Sequence, residues 1–144
     1  MKDTFHYLLL CNQNSIQRMI MQYLEGSGLT PGQPKILEYL RENDGCMQKE
    51  IAAACQVDAA TIVGLLNRME DAGLLERKKL DGNRRSFYIY LTCLGKEKAE
   101  EVHSAFEELE DGAFAGFSKE ERAKALEIME RLRENLTEME KDMR

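Results

Sequence analysis

KKLDGNRRSFYIYLT, residues 78–92, sets Lys78, Lys79, Arg84 and Arg85 around the turn signal Asp81-Gly82-Asn83. A run of aromatic and β-branched residues follows at once. Phe87, Ile89 and Leu91 alternate there with Ser86, Tyr88 and Tyr90, the period of two that predicts a strand with one buried face over 86–91. Upstream, residues 75–79 read as a first strand, so the segment is a β-hairpin with a basic end. Arg77, Lys78, Lys79, Arg84 and Arg85 against Asp81 give 77–85 a charge of +4 (five minus one). The whole chain carries -6, which leaves -10 for everything else (-6 minus +4). An acidic body repels polyanions, so phosphate attraction is confined to this hairpin.

Directly before the hairpin stand two short helical stretches. Residues 48–55 place Ile51, Ala52 and Cys55 on one side; Gln56-Val57 is the turn, and Asp58 is an N-cap for the next helix. In that helix Ile62, Leu65, Leu66 and Met69 face inward, and Gly73 supplies a left-handed end. Its other side carries Ala59, Ala60, Thr61, Gly64, Asn67 and Arg68. Ala59, Ala60 and Gly64 keep that face slim enough to approach a groove floor, while Thr61, Asn67 and Arg68 can hydrogen-bond. A helix-turn-helix followed by a basic hairpin points to double-stranded DNA. The two features support each other, since either alone is more often a solvated loop or a good helix former.

Further out, the helical spacing of Leu8, Leu9, Cys11, Ile16, Met19, Ile20, Tyr23 and Leu24 predicts a helix over 5–25. Thr30-Pro31-Gly32-Gln33 predicts the next: threonine N-cap, proline at the first position, glutamine closing a capping box. Ile36, Leu37 and Leu40 form its stripe, and Asn43-Asp44-Gly45 ends it. Thr92 caps a long helix reaching about Phe114, and Ser118-Lys119-Glu120-Glu121 is a capping box for the last one. There Met129, Leu132, Leu136, Met139 and Met143 fall at spacings of three and four, a narrow seam suited to a partner helix.

A length of 144 residues, 43% hydrophobic and 32% charged, describes a helix-rich globular chain. No apolar run is long enough for a membrane span, and the first fifteen residues lack a small-residue cleavage site, so a cytoplasmic protein is expected. Cys11, Cys46, Cys55 and Cys93 match neither a zinc knuckle nor a CxxC motif, and read as small buried hydrophobes. His6 and His103 are solitary, and only Glu107 stands at i+4 from a histidine. No catalytic template, metal-ligand set or cofactor loop occurs, so neither an enzyme nor a cofactor is expected. A winged-helix module contacting an acidic protein is the rival class, distinguished by whether duplex DNA competes for binding.

Several ordered motifs resemble the MarR family of bacterial transcriptional regulators: Gly28-Leu29-Thr30-Pro31, Gln48-Lys49-Glu50-Ile51-Ala52, residues 57–62, Asn67 to Arg77, Asp81 to Ser86, and Leu91-Thr92 with Gly95. The likeness spans nearly the whole chain. It implies a fold mainly α with a small β hairpin, a winged helix-turn-helix with long terminal dimerisation helices. The implied division is 1–28 for an N-terminal dimerisation helix, 29–92 for DNA binding and 93–144 for C-terminal dimerisation helices. The family's recognition contacts fall on Ala59, Ala60, Thr61, Val63, Gly64, Asn67 and Arg68, with Lys78, Lys79, Arg84 and Arg85 of the wing. Of the two arginines, one would enter the minor groove and the other brace the wing. Ala60 stands where serine is common, Gly64 where a side chain is usual and Asn67 where an acid is usual, so this helix carries fewer base-reading groups. The resemblance further implies a homodimeric repressor on a pseudo-palindromic operator, released by a small aromatic effector between the lobes. His6, Tyr7, Cys11, Tyr39 and His103 are the expected lining. Cys11 lies near where peroxide-sensing members keep a reactive cysteine; a buried structural role is the preferred reading, because Arg18 is the nearest cation in sequence.

Overall fold

Residues 1–79 and 87–144 are described by the structure, a computed structural model. Its elements run α1 (Phe5–Tyr23), α2 (Gln33–Glu42), β1 (Cys46–Met47), α3 (Gln48–Ala54), α4 (Ala59–Asp71), β2 (Leu75–Lys78), β3 (Tyr88–Leu91), α5 (Cys93–Ala113) and α6 (Lys119–Asp142). The fold is mainly α with a small antiparallel sheet in the order β1-β3-β2. The chain divides into two compact units, Met1–Leu109 and Glu110–Arg144, and α5 runs through the division.

The first unit has a single core. Ile36, Leu37 and Leu40 of α2, Ile51 of α3, and Ile62, Leu66 and Met69 of α4 are sealed from solvent, as are Leu75, Ile89 and Val102. Ile20 and Leu24 join them from the α1 side. The rest of the apolar stripe expected on α1 is open: Leu8, Leu9, Met19 and Tyr23 are exposed, with Phe5 and Leu10.

Between β2 and β3 the register is Leu75↔Leu91, Glu76↔Tyr90, Arg77↔Ile89 and Lys78↔Tyr88. β1, absent from the sequence reading, adds Cys46↔Ile89 and Met47↔Tyr88 on the other edge of β3. The Gly45 amide donates to the Ile89 carbonyl (2.8 Å) and the Leu91 amide to Asp44 Oδ1 (2.8 Å), so the end of α2 is tied to the sheet. Two residues are too few for a period to show.

Two local expectations are corrected. α2 begins at Gln33 rather than beside Thr30, with left-handed Gly32 (φ 92°) as its N-cap and Pro34 in its first turn. The Gln33 carboxamide accepts from the Thr30 amide (3.1 Å), so the predicted box contact closes a turn that precedes the helix. Phe87 precedes β3 and is 40% exposed, whereas the alternation placed it on the buried face.

In the second unit, Ser118 and Glu121 form the expected reciprocal capping box, the Glu121 amide donating to Ser118 Oγ (3.0 Å) and the Ser118 amide to Glu121 Oε1 (2.9 Å). Arg122 donates to Asp111 (2.8 Å) and lies over the Phe114 ring, which meets Phe117 edge to face. No residue of α6 is buried.

Candidate nucleic-acid interface

The helix-turn-helix is built from caps. Asp58 Oδ1 accepts from the Thr61 amide (2.8 Å) and Oδ2 from the Thr61 hydroxyl (2.9 Å), and these bonds hold the Asp58 carboxyl below its usual range. The preceding turn ends α3 in a Schellman arrangement: the Val57 amide donates to Ala52 O (2.9 Å), the Gln56 amide to Ala53 O (3.3 Å). Gln56 is left-handed (φ 55°), where glycine is the usual choice, and the sequence carried no sign of it. α4 ends in the same motif, the Leu74 amide on Met69 O and the Gly73 amide on Glu70 O, both 2.9 Å.

These caps fix which face of α4 looks outward. Ala59, Ala60, Thr61, Val63, Asn67 and Arg68 are exposed and Gly64 is half-buried; Ile62, Leu65, Leu66 and Met69 are buried. Because the Thr61 hydroxyl donates to Asp58, it faces a groove as an acceptor. The Arg68 guanidinium lies back along the helix, its Nη1 3.4 Å from where a Cβ on Gly64 would stand.

In the wing, Lys78 is exposed, its Nζ 3.8 Å from Glu76 and 5.0 Å from the Tyr90 ring centroid. Lys79 stands 5.0 Å over the Phe87 ring. Arg77, counted with the basic hairpin, turns to the face of Leu75 and Ile89, with Nε and Nη2 buried and unpaired among the described residues. Arg84 and Arg85 lie outside the described residues.

The residues expected around an effector do not share one set of partners. His6 is exposed. Tyr7 contacts Cys11, which raises the Tyr7 hydroxyl above its usual value. Tyr39 is half-buried; burial and then Cys46, Glu50 and Cys55 raise its hydroxyl. His103 bonds Glu38, the neighbour of Tyr39 on α2, which points another way. An open cleft of about 720 Å³ in the first unit is lined by Tyr23, Leu24 and Ala105 with Glu25, Glu97 and Glu108, and none of the expected five residues lines it. Burial pushes the Cys46 thiol up to about 11, and also raises that of Cys55, so both are inert at neutral pH. Among the described residues no group of three His, Cys, Asp or Glu side chains is placed to hold a metal ion.

His103 Nδ1 lies 2.9 Å from Glu38 Oε1 and Nε2 lies 2.9 Å from Glu107 Oε1. Only the imidazolium donates through both nitrogens, and the Glu38 bond above all raises the pKa of His103 above 6.5. A raised folded-state value means stabilisation that is complete below about pH 6.5 and fades as pH climbs through that higher value. His103→Gln is therefore expected to lower the melting midpoint more at pH 6 than at pH 8.5. Equal losses at both would show that charge plays no part.

A capped helix pair, an outward polar helix face and an antiparallel wing define a winged helix-turn-helix, a class of DNA-binding proteins. The MarR family profile matches residues 27–86. The organic hydroperoxide resistance transcriptional regulator of Bacillus subtilis is 30% identical over 132 residues, covering 83% of this chain and 84% of that one. The crystal structure of MarR is 29% identical with a TM-score of 0.83, covering 99% of this chain and 97% of the other. The Staphylococcus aureus MepR–DNA complex is 29% identical with a TM-score of 0.76, covering 98% and 99%. The chain belongs to the MarR family: it is a DNA-binding transcriptional regulator, and its relatives are regulators, not enzymes. No helix among the described residues is long and apolar enough to cross a membrane.

Proposed function

We propose that this protein is a homodimeric repressor that grips a pseudo-palindromic operator through two copies of α4 and two wings. The observation that carries the reading is the division of α4. One face is sealed into the core, while Ala59, Ala60, Thr61, Val63, Asn67 and Arg68 stand in solvent beside the lysines of the wing. The 29%-identical MepR bound to DNA supports the same use of the fold. In this reading residues 29–92 hold the DNA, with 1–28 and 93–144 supplying dimerisation. Half-sites would then lie one helical turn apart, roughly 34–36 Å. A small aromatic effector, met by some of His6, Tyr7, Cys11, Tyr39 and His103, would bind the state that fits DNA less well and so release it.

Readout through α4 is lean, since two alanines and a glycine carry no hydrogen-bonding group. Affinity then leans on phosphate contacts from Lys78, Lys79, Arg84 and Arg85. Arg84→Ala and Arg85→Ala are each expected to weaken binding to all duplexes and to reduce the slope of log K against log salt by about one. Gel-shift titrations at several salt concentrations measure this. Unchanged slopes for both variants would refute the wing assignment.

A further inference from the structure

Phe87 has an aromatic ring where the strand pattern calls for core, yet it is 40% exposed. Over it stands the Lys79 ammonium, 5.0 Å from the ring centroid. The next lysine repeats the arrangement: Lys78 Nζ lies 5.0 Å from the Tyr90 centroid. Tyr90 is itself held from below. Gly45 (φ 80°) backs onto its ring so closely that a Cβ there would come within 2.8 Å of Cε1. Consecutive lysines at the edge of the wing thus each have an aromatic face, and one of those faces is fixed by packing.

We propose that Tyr90 and Phe87 are positioning residues for DNA binding, their rings holding the ammoniums of Lys78 and Lys79 as a pre-ordered pair of phosphate contacts. This rests on the reading of the wing given above. A lysine on a flexible four-carbon stem surrenders most of its rotamers when it meets a phosphate. A ring quadrupole restricts those rotamers beforehand and leaves the full positive charge, whereas a carboxylate would cancel it. Glu76, 3.8 Å from Lys78 Nζ and exposed, is the nearest competitor, and water screens it. If the stems of Lys78 and Lys79 merely cover apolar rings, the same geometry arises with no effect on DNA.

Fluorescence anisotropy with the full chain and a random-sequence duplex of about 30 base pairs separates these, because such binding is almost wholly to phosphates. Lys78→Ala and Lys79→Ala are each expected to reduce the salt slope by about one. Tyr90→Leu and Phe87→Leu should each weaken binding about two- to fivefold, with Tyr90→Phe restoring it because the ring is kept. In the Lys78→Ala background, Tyr90→Leu should cost nothing more. Wild-type affinity for both leucine variants, or additive losses in the lysine backgrounds, would overturn the proposal while leaving the wing reading intact. Wild-type slopes for both lysine variants would overturn that reading and the proposal together. If Tyr90→Leu fails to fold, Phe87→Leu at its exposed site decides by the same criteria.

Discussion

Gly95→Ala is expected to cost more than about 4 kcal/mol of stability and to lower the thermal midpoint by about 10 °C or more. Gly95 is buried in the first turn of α5, where a Cβ would stand 1.9 Å from the Leu74 carbonyl oxygen and 3.1 Å from Leu91 Cδ2. The obstructing atom is backbone and has no freedom to yield. Leu74 O accepts from the Thr92 amide (3.1 Å), and the Leu74 amide is spent on the end of α4. Thr92 is fixed in turn, its hydroxyl donating to Gly73 O (2.6 Å) and accepting from the Gly95 amide (3.0 Å). A methyl group must therefore push α5 off the junction of α4, β2 and β3. Gly64→Ala supplies the contrast, because the same change meets only the movable end of Arg68 at 3.4 Å. There the helix should gain roughly 0.5–1 kcal/mol, since alanine loses less backbone entropy. Circular dichroism melts of the two variants should move in opposite directions. A Gly95→Ala midpoint within 2 °C of wild type would mean that the close approach is easily relieved.

That contact was not legible in the sequence, although "LTxxG" was visible as a motif. What could be read was local. Asp58 with Thr61, Ser118 with Glu121 and Thr92 with Gly95 are bonds across three residues, so side-chain chemistry announces them. The inward faces of α2 and α4 were equally plain, because burial on one side of a helix leaves a period. What escaped depends on chain far away. β1 exists because β3 lies beside Cys46 and Met47, Gln56 is left-handed because α3 and α4 must turn sharply, and Phe87 leaves the core where the strand ends. The interface shows the same limit. The outward set of α4 followed from its caps, but Arg77 turned inward beside Ile89, and the aromatic partners of Lys78 and Lys79 come from the opposite strand. The five residues expected around an effector were chosen by chemistry and position along the chain, and neither encodes a shared cavity.

Sedimentation equilibrium is expected to find a dimer for the wild type and, at the same micromolar concentration, a monomer for Leu136→Glu. On α6, Leu126, Met129, Leu136 and Met139 are 58%, 49%, 45% and 52% exposed, and Leu132 is half-buried. Residues 129, 132, 136, 139 and 143 step by three and four, the spacing of a coiled-coil seam. A helix with that seam and no buried residue does not account for its own apolar side chains. Burying a leucine or methionine contributes about 1.5–3 kcal/mol, and a two-fold axis counts each one twice. Replacing both copies of Leu136 with glutamate removes that gain and also sets two like charges in an apolar contact. The dimer dissociation constant should accordingly rise by at least about 1,000-fold. Arg131→Glu adds a carboxylate to α6 off the seam and should remain dimeric, which separates a seam effect from added negative charge. A monomer presents one recognition helix and one wing, so Leu136→Glu should also lose the second half-site and bind operator no better than a half-site duplex. If Leu136→Glu stays dimeric, the seam belongs to some other contact, and the spacing of half-sites argued from two-fold symmetry loses its basis.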